Sequence, residues 1–591
     1  MRGDMRMTTF ELTWRRAFCA GACLLAIGAA PAADLRAPER PSGWTAKRPV
    51  ESRRFMIVAA NPLAVEAGYR MLRQGGSAVD AVIAAQLVLG LVEPQSSGLG
   101  GGAFMLAHDA RTHRLTAYDG RETAPAAARP DRFLGADGKP LPFDAAVVGG
   151  RSVGVPGAVR LLEAVHRRHG RLPWRALFAP AIALAERGFA VSPRLHMLLE
   201  QETLLLPAAR AYFSGPDGNV LAVGAILRNP AYAATLRQIA QGGADAFYSG
   251  TIAQDIVDTV STAPRAGDMT LADLGGYRVK VRTPVCDTYR AYRVCGMPLP
   301  SSGGITVLQT LKLLEPYPIA SMGPDSFWSV HFLSEAGRLA FADRAVYEAD
   351  PDFYTPPAGL LDSGYLRARS RLITTTRSLG HAAPGDPPET MEPARKVAWG
   401  RDASAEFPST SQVVAVDRYG NAVTMTTTVE QAFGSKLMTK SGFLLNNELT
   451  DFSFVPAIDG KPVANRVEAG KRPRSAMAPT IVYDRAGRVY MLTGSVGGSA
   501  IINYVAKTVL GVIDWKLDPQ AAVDLPNVGS RNGPTELEAD TAAVTLAPKL
   551  RALGHTVTIL PHPSGTAAIV RTPRGWIGGA DPRREGIVMG E

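Results

Sequence analysis

The feature that most limits how this chain folds is a pair of Val/Thr-rich segments, 411–416 and 422–429, flanking a short polar stretch that carries Gly420-Asn421. β-branched residues on both sides of a Gly-containing turn specify a β-hairpin. A three-residue loop at 418–420 puts Gly420 in the left-handed position such loops need, and this register sets Thr428 opposite Thr410. A threonine at a strand start is ordinarily a β-former; its alternative use is as a nucleophile.

The segments around the hairpin supply further elements. Residues 55–59 read as a short strand, after which Asn61-Pro62 provides an N-cap and first-turn proline for a helix to about Arg73. Gly75-Gly76 stops it, and Ser77 caps a second, mostly apolar helix through Leu91. The stretch Gly98-Leu99-Gly100-Gly101-Gly102-Ala103 formally matches a dinucleotide-binding pattern, but a helix precedes it and a strand, 103–108, follows. That order is the reverse of what the pattern requires, so a tight backbone crossing is the better use of these glycines. Arg121 follows the next strand, 115–119, where it reads as an ion pair or a ligand clamp.

From Gly149 to about Arg369 the apolar spacing is mainly helical, as in 158–169, 180–188 and 327–347, and Pro298 to Gly304 opens another helix. Residues 375–409 are Pro-, Gly- and polar-rich, the pattern of a mobile connector. Beyond the hairpin, strands 481–483 and 489–492 lead into Thr493-Gly494-Ser495-Val496-Gly497-Gly498-Ser499, a joint between strand and helix. Its Gly pair reads either as a plain turn or as N–H donors for an anion or oxyanion. A strand near 557–560 and a hairpin over 566–577 close the chain. Strands on both sides of the connector read as one sheet system.

Residues 1–32 carry Arg15-Arg16, an apolar run from Ala17 to Ala30, and the small-x-small site Ala30-Pro31-Ala32, the pattern of a secretory signal rather than a membrane anchor. The exported product is expected to be soluble, periplasmic or secreted. Losing four Arg and two acids with the signal takes the net charge from +10 to +8, with no Lys/Arg block, which argues against a nucleic-acid partner. Cys19 and Cys23 leave with the signal; Cys286 and Cys295 flank a potential hairpin and read as a disulfide or as two buried thiols. Nine scattered His form no metal or Ser/His/Asp motif, so neither metal nor cofactor is expected.

Taken in order, Ser97 to Gly102, Arg121 to Pro125, Pro300 to Gly304, the Thr410 hairpin, Leu445 to Phe452 and Gly494 to Ser499 resemble the γ-glutamyltranspeptidase family, one of the N-terminal nucleophile hydrolases. The resemblance implies an α+β fold, a four-layer αββα sandwich of two stacked, mainly antiparallel sheets between helices. It also implies self-cleavage at Ser409–Thr410 into a large subunit, 33–409, and a small one, 410–591, that stay together as a heterodimer. The free α-amino group of a new N-terminal threonine, with a pKa near 8, then serves as base to its own hydroxyl.

By the same resemblance Thr428 supports the nucleophile and Gly497 and Gly498 form the oxyanion hole. Arg121 and Ser475 take the α-carboxylate of a γ-glutamyl substrate such as glutathione, and Glu448 and Asp451 take its ammonium. Two positions depart from the pattern: Glu430 stands where an asparagine is usual, and Ala476 replaces a second serine. Three carboxyls on the ammonium side require a strongly held cation or a retained proton. Same-fold acylases that take glutaryl groups are the first alternative. A non-catalytic exported binding protein is the alternative from another class.

Overall fold

Residues 42–388, 398–404, 406–407 and 409–591 are described by the computed structural model; the export signal read over residues 1–32 lies outside them. The Val/Thr-rich segments form the predicted hairpin, strands Thr410–Val416 and Ala422–Thr428, with Thr410 paired to Thr428 and Val416 to Ala422. Gly420 adopts φ +87°, and Asp417 Oδ1 closes the loop by accepting the N–H of Tyr419 at 2.9 Å and of Asn421 at 3.0 Å.

The hairpin lies at the middle of a seven-stranded sheet, in the order Ile587–Gly590, Met56–Ala59, Thr410–Val416, Ala422–Thr428, Gly102–Asp109, Arg114–Gly120, Lys280–Arg282. Each neighbouring pair is antiparallel. Both faces of this sheet are covered. Val413, Ala415, Val423 and Met425 join one apolar core, while Val414, Val416 and Ala422 join another. The strand period of two thus divides the hairpin between two cores.

The first core is closed by helices that include Pro62–Arg73, Ala78–Val92 and Ala158–His169. In the second, the sheet faces another seven-stranded antiparallel sheet through Ile481, Met491 and Ile569, and helices Gly303–Leu314, Phe327–Tyr347 and Ile501–Ile513 close the far side. Helix, sheet, sheet, helix is the αββα order. Capping followed the sequence: the Asn61 side chain accepts from Leu63 N, and Ser77 forms a capping box with Asp80.

Two further readings are resolved. Cys286 and Cys295 sit opposite one another in the hairpin Val285–Tyr289/Tyr292–Gly296 and form a disulfide. Part of the segment read as a mobile connector is instead tied down: Ser378 Oγ and Leu379 N donate to buried Glu335 at 2.7 and 2.8 Å, and Ala382 N donates to Asn532 Oδ1 at 2.7 Å. Its polar side chains and backbone find partners on the helix layer, which composition does not reveal. No helix among the described residues is long and apolar enough to cross a membrane.

Candidate active site

Thr410 begins its strand 4% exposed, with its peptide link to Ser409 intact. Across the register, Thr428 Oγ1 donates to Ser409 O at 2.6 Å and accepts the N–H of Glu430 at 2.8 Å. The Thr428 hydroxyl therefore polarises the carbonyl of the Ser409–Thr410 peptide, the bond expected to be cut. Gly101 packs its backbone on Thr428 O, where no Cβ fits, so the Gly-rich stretch is a close crossing against this hairpin. Below the two threonines, Thr426 Oγ1 donates to Gln412 Oε1 at 2.6 Å, Gln412 Nε2 donates to Thr424 Oγ1 at 2.9 Å, and Thr424 Oγ1 donates to Thr493 O of the other sheet at 3.0 Å. This chain of bonds fixes the spacing between the two sheets beneath the candidate nucleophile.

From the second sheet, strand Val489–Gly494 runs into Gly497 and Gly498, at φ +135° and +57°, just before helix Ile501–Ile513. The Tyr504 ring occupies the volume a Gly497 side chain would need. Positive φ with no side chain is what lets this bend present backbone N–H groups. Gly498 lines the same cavity as Thr410 and Thr428.

That cavity collects the remaining candidates: Arg121, Glu430, Glu448, Asp451, Ser475 and Ala476. Arg121, 1% exposed, follows strand Arg114–Gly120 and is held on every side. Its Nε donates to Pro473 O at 3.2 Å, Nη2 to Arg474 O at 2.8 Å and to Asp451 Oδ2 at 2.5 Å, and Nη1 pairs with Glu448. In the uncut chain the guanidinium faces the two acids assigned to a substrate ammonium.

One cation cannot neutralise four carboxyls. Burial, then the charges of Asp451 and Glu448, pushes Glu430 well above the usual carboxylate range. Burial likewise raises Glu448 and Asp451 well above it despite the pull of Arg121. Glu122, a neighbour that the sequence reading left without a role, is raised by burial to about 7. Glu122 and Glu448 are both fully buried and near enough to interact, which favours a proton kept on one of them. Burial and mutual repulsion thus favour retained protons, the second of the two options posed by the sequence. Glu430 also sits at φ +77°, a region where asparagine is comfortable and glutamate is not.

Ser475 is placed by the Pro300 to Gly304 motif: Ser475 N donates to Pro300 O at 3.0 Å, and Ser302 N and Oγ donate to Ser475 O at 2.8 and 2.6 Å. Its own Oγ accepts from Met477 N at 3.1 Å. Sequence reasoning missed Glu406, Phe407, Met477 and Ile501, which also line the cavity. The first two belong to the segment read as connector and carry no local signal. With them in place only about 20 Å³ of space remains, room for about one water.

One His/Glu cluster lies elsewhere. His331, Glu335 and His555 bring a ligand atom each within 4.8 Å of one another. Their ring nitrogens form a closed chain: His331 Nε2 donates to Thr374 O at 2.8 Å, His555 Nε2 to His331 Nδ1 at 2.8 Å, and Thr535 Oγ1 to His555 Nδ1 at 2.7 Å. Both rings are neutral in that pattern and already satisfied, which suits a structural network better than a metal.

A threonine heading an inner strand of two stacked antiparallel sheets, with a hydroxyl donor on the preceding carbonyl and Gly498 in the same cavity, defines an N-terminal nucleophile hydrolase. Residues 64–591 match the family model described as gamma-glutamyltranspeptidase, and the chain belongs to that family. It is 36% identical over 545 residues to a glutathione hydrolase proenzyme of Bacillus subtilis, covering 90% of this chain and 91% of that one. A glutathione hydrolase proenzyme of Escherichia coli is 33% identical over 580 residues, 96% of each. Among solved structures, a cephalosporin acylase from Bacillus halodurans superposes with TM-score 0.81 at 26% identity, over 93% of this chain and 97% of that one. The chain is thus an enzyme of a family whose members are made as proenzymes.

Proposed function

We propose that the chain is an exported, self-processing γ-glutamyl hydrolase/transferase that acts on glutathione and related γ-glutamyl amides. The observation that carries this is the Thr428 bond to Ser409 O, which prepares that carbonyl for attack by the adjacent hydroxyl. In maturation Thr410 Oγ adds to the Ser409 carbonyl carbon, the C–N bond breaks with the proton passing to the leaving amine, and water hydrolyses the resulting ester. The products are a large subunit, 33–409, and a small subunit, 410–591, held as a heterodimer by the shared sheet.

The freed α-amine then takes the Thr410 hydroxyl proton as that oxygen attacks a γ-glutamyl carbonyl, with Gly497 and Gly498 N–H groups receiving the oxyanion. The proton passes to the departing amine, and water or an amino acid takes the acyl group from the ester. Glu430, Glu448 and Asp451 accept the substrate ammonium, which displaces their retained protons, and Arg121 and Ser475 meet the α-carboxylate. A glutaryl acylase is the second reading. It is favoured by Arg121 being already paired with both of the acids that would hold an ammonium.

Purified protein should run as two fragments, the smaller beginning at Thr410, and Thr410→Ala should run as one and turn over no substrate. A wild-type protein that stays one chain, or a Thr410→Ala protein that matures, refutes the assignment. γ-Glutamyl-p-nitroanilide should be the better donor; equal or faster turnover of glutaryl-p-nitroanilide selects the acylase reading.

A further inference from the structure

Glu406 and the two guanidiniums that hold it are unused by the chemistry above. Arg344 Nη2 donates to both Glu406 oxygens at 2.6 and 2.7 Å, and Arg474 donates to Oε1 from Nε at 3.2 Å and from Nη2 at 3.0 Å. All three side chains are buried, at 6%, 2% and 5% exposure for Arg344, Arg474 and Glu406. The carboxylate is four residues before Thr410 and lines the cavity that Thr410 lines.

The cradle is braced independently of its occupant. Arg344 Nε donates to Ser302 Oγ at 2.7 Å, and that serine is fixed on the Ser475 carbonyl. Arg474 Nη2 pairs with Asp402 at 3.0 Å, its Nη1 donates to Arg344 O at 3.3 Å, and its N–H is held by Asn465 Oδ1 at 2.9 Å. Arg344 stands on helix Phe327–Tyr347, before the cut, and Arg474 after it. Of the two acids on the segment that precedes the cut, Asp402 is tied to Ala345 O and Asn465 Nδ2 at 2.8 Å each, whereas Glu406 lies nearest the end that cutting frees. Two buried acids stay near the pair, Asp402 on Arg474 and Glu348 bonded by Thr306. Burial raises Glu348 to about 8, so it keeps its proton and the two guanidiniums are left one charge in excess when Glu406 departs. Such an excess calls for another carboxylate. Planar, two-oxygen anions suit the two forks.

We propose that Arg344 and Arg474, braced by Ser302, form a carboxylate-binding subsite beside Thr410, filled by Glu406 in the uncut chain and by a carboxylate of the substrate in the processed enzyme. The subsite rests on the reading of Thr410 as a self-processing nucleophile and is distinct from Arg121. The carboxylate belongs to the acyl chain or to the departing amine portion, and kinetics separates the two.

In processed Arg474→Lys enzyme, which keeps the charge beside Asp402 and loses the fork, KM should rise at least about tenfold for donors whose carboxylate uses the subsite. A rise for γ-glutamyl-3-carboxy-4-nitroanilide relative to γ-glutamyl-p-nitroanilide assigns the leaving group; an equal rise for both assigns the acyl chain. Arg344→Lys, on the other fragment, should repeat the result. A processed variant with both KM values within about twofold of wild type overturns the proposal. A second measurement needs no cutting: millimolar glutarate should raise the thermal midpoint of Thr410→Ala/Glu406→Ala and leave that of Thr410→Ala unmoved, and equal shifts overturn the subsite. A wild-type chain that never cuts refutes the functional reading alone, since the uncut pair still reports on the cradle.

Discussion

Replacing Thr428 by valine keeps the shape of the side chain and removes two hydrogen bonds of different consequence. The first is the donation to Ser409 O at 2.6 Å, between residues that are 3% and 0% exposed. A donor aimed at a carbonyl that becomes an oxyanion, in a site shielded from water, is worth about 2.7–4 kcal/mol, or ~10²–10³ in rate. Self-cleavage of Thr428→Val should slow by that factor. The second is acceptance of the Glu430 N–H at 2.8 Å; leaving that buried donor unpaired costs about 1–3 kcal/mol of stability. Thr428→Ser retains both bonds and should mature at nearly the wild-type rate. Freshly purified precursor, sampled on denaturing gels with intact-mass confirmation of the 410–591 fragment, gives the rate constant directly. A folded Thr428→Val protein cutting within about threefold of wild type would show that the hydroxyl does not act on the scissile carbonyl.

Three further outcomes are expected. Glu430→Asn should stabilise the precursor by about 1 kcal/mol or more, because asparagine tolerates φ +77° and one fewer carboxyl is then buried beside Glu448 and Asp451. Since the Glu430 pKa is raised, its contribution is fully present below about pH 4.5 and is lost as pH rises through the folded value, so the gain should grow from pH 5 to pH 8; equal urea midpoints for both proteins at pH 8 would contradict this. His555 has the opposite sign: burial lowers it to about 4, so stability holds above pH 6.5 and falls as pH drops from 6.5 towards 4, by on the order of 3 kcal/mol, and His555→Gln should flatten that slope in urea titrations. Reducing the Cys286–Cys295 bridge, which spans a sequence separation of 9 in an edge hairpin, should cost at most about 2–3 kcal/mol and leave the self-cleavage rate unchanged; a slowed rate would tie that sheet edge to the site.

What the sequence by itself determined is whatever depends on neighbours in the chain. Gly420 and the flanking β-branched residues set the hairpin register, and so the pairing of Thr410 with Thr428, because turn geometry and strand period are local rules. The helix starts at Asn61-Pro62 and Ser77, and the Gly497-Gly498 bend between strand and helix, were legible for the same reason. The rest depended on packing between distant segments. Nothing near Arg121 in the chain foretold that Asp451, 330 residues on, would hold its guanidinium, or that Glu122 would be buried against Glu448. Composition marked Glu406 as connector; the tertiary structure seats it between Arg344 and Arg474 in the cavity of Thr410. Protonation too was decided there, because an acid sequence pattern carries charge only until burial makes the proton cheaper to keep than to lose. The place of Thr410 was written in local geometry, whereas the electrostatics of the cavity around it arose only from the packing of distant segments.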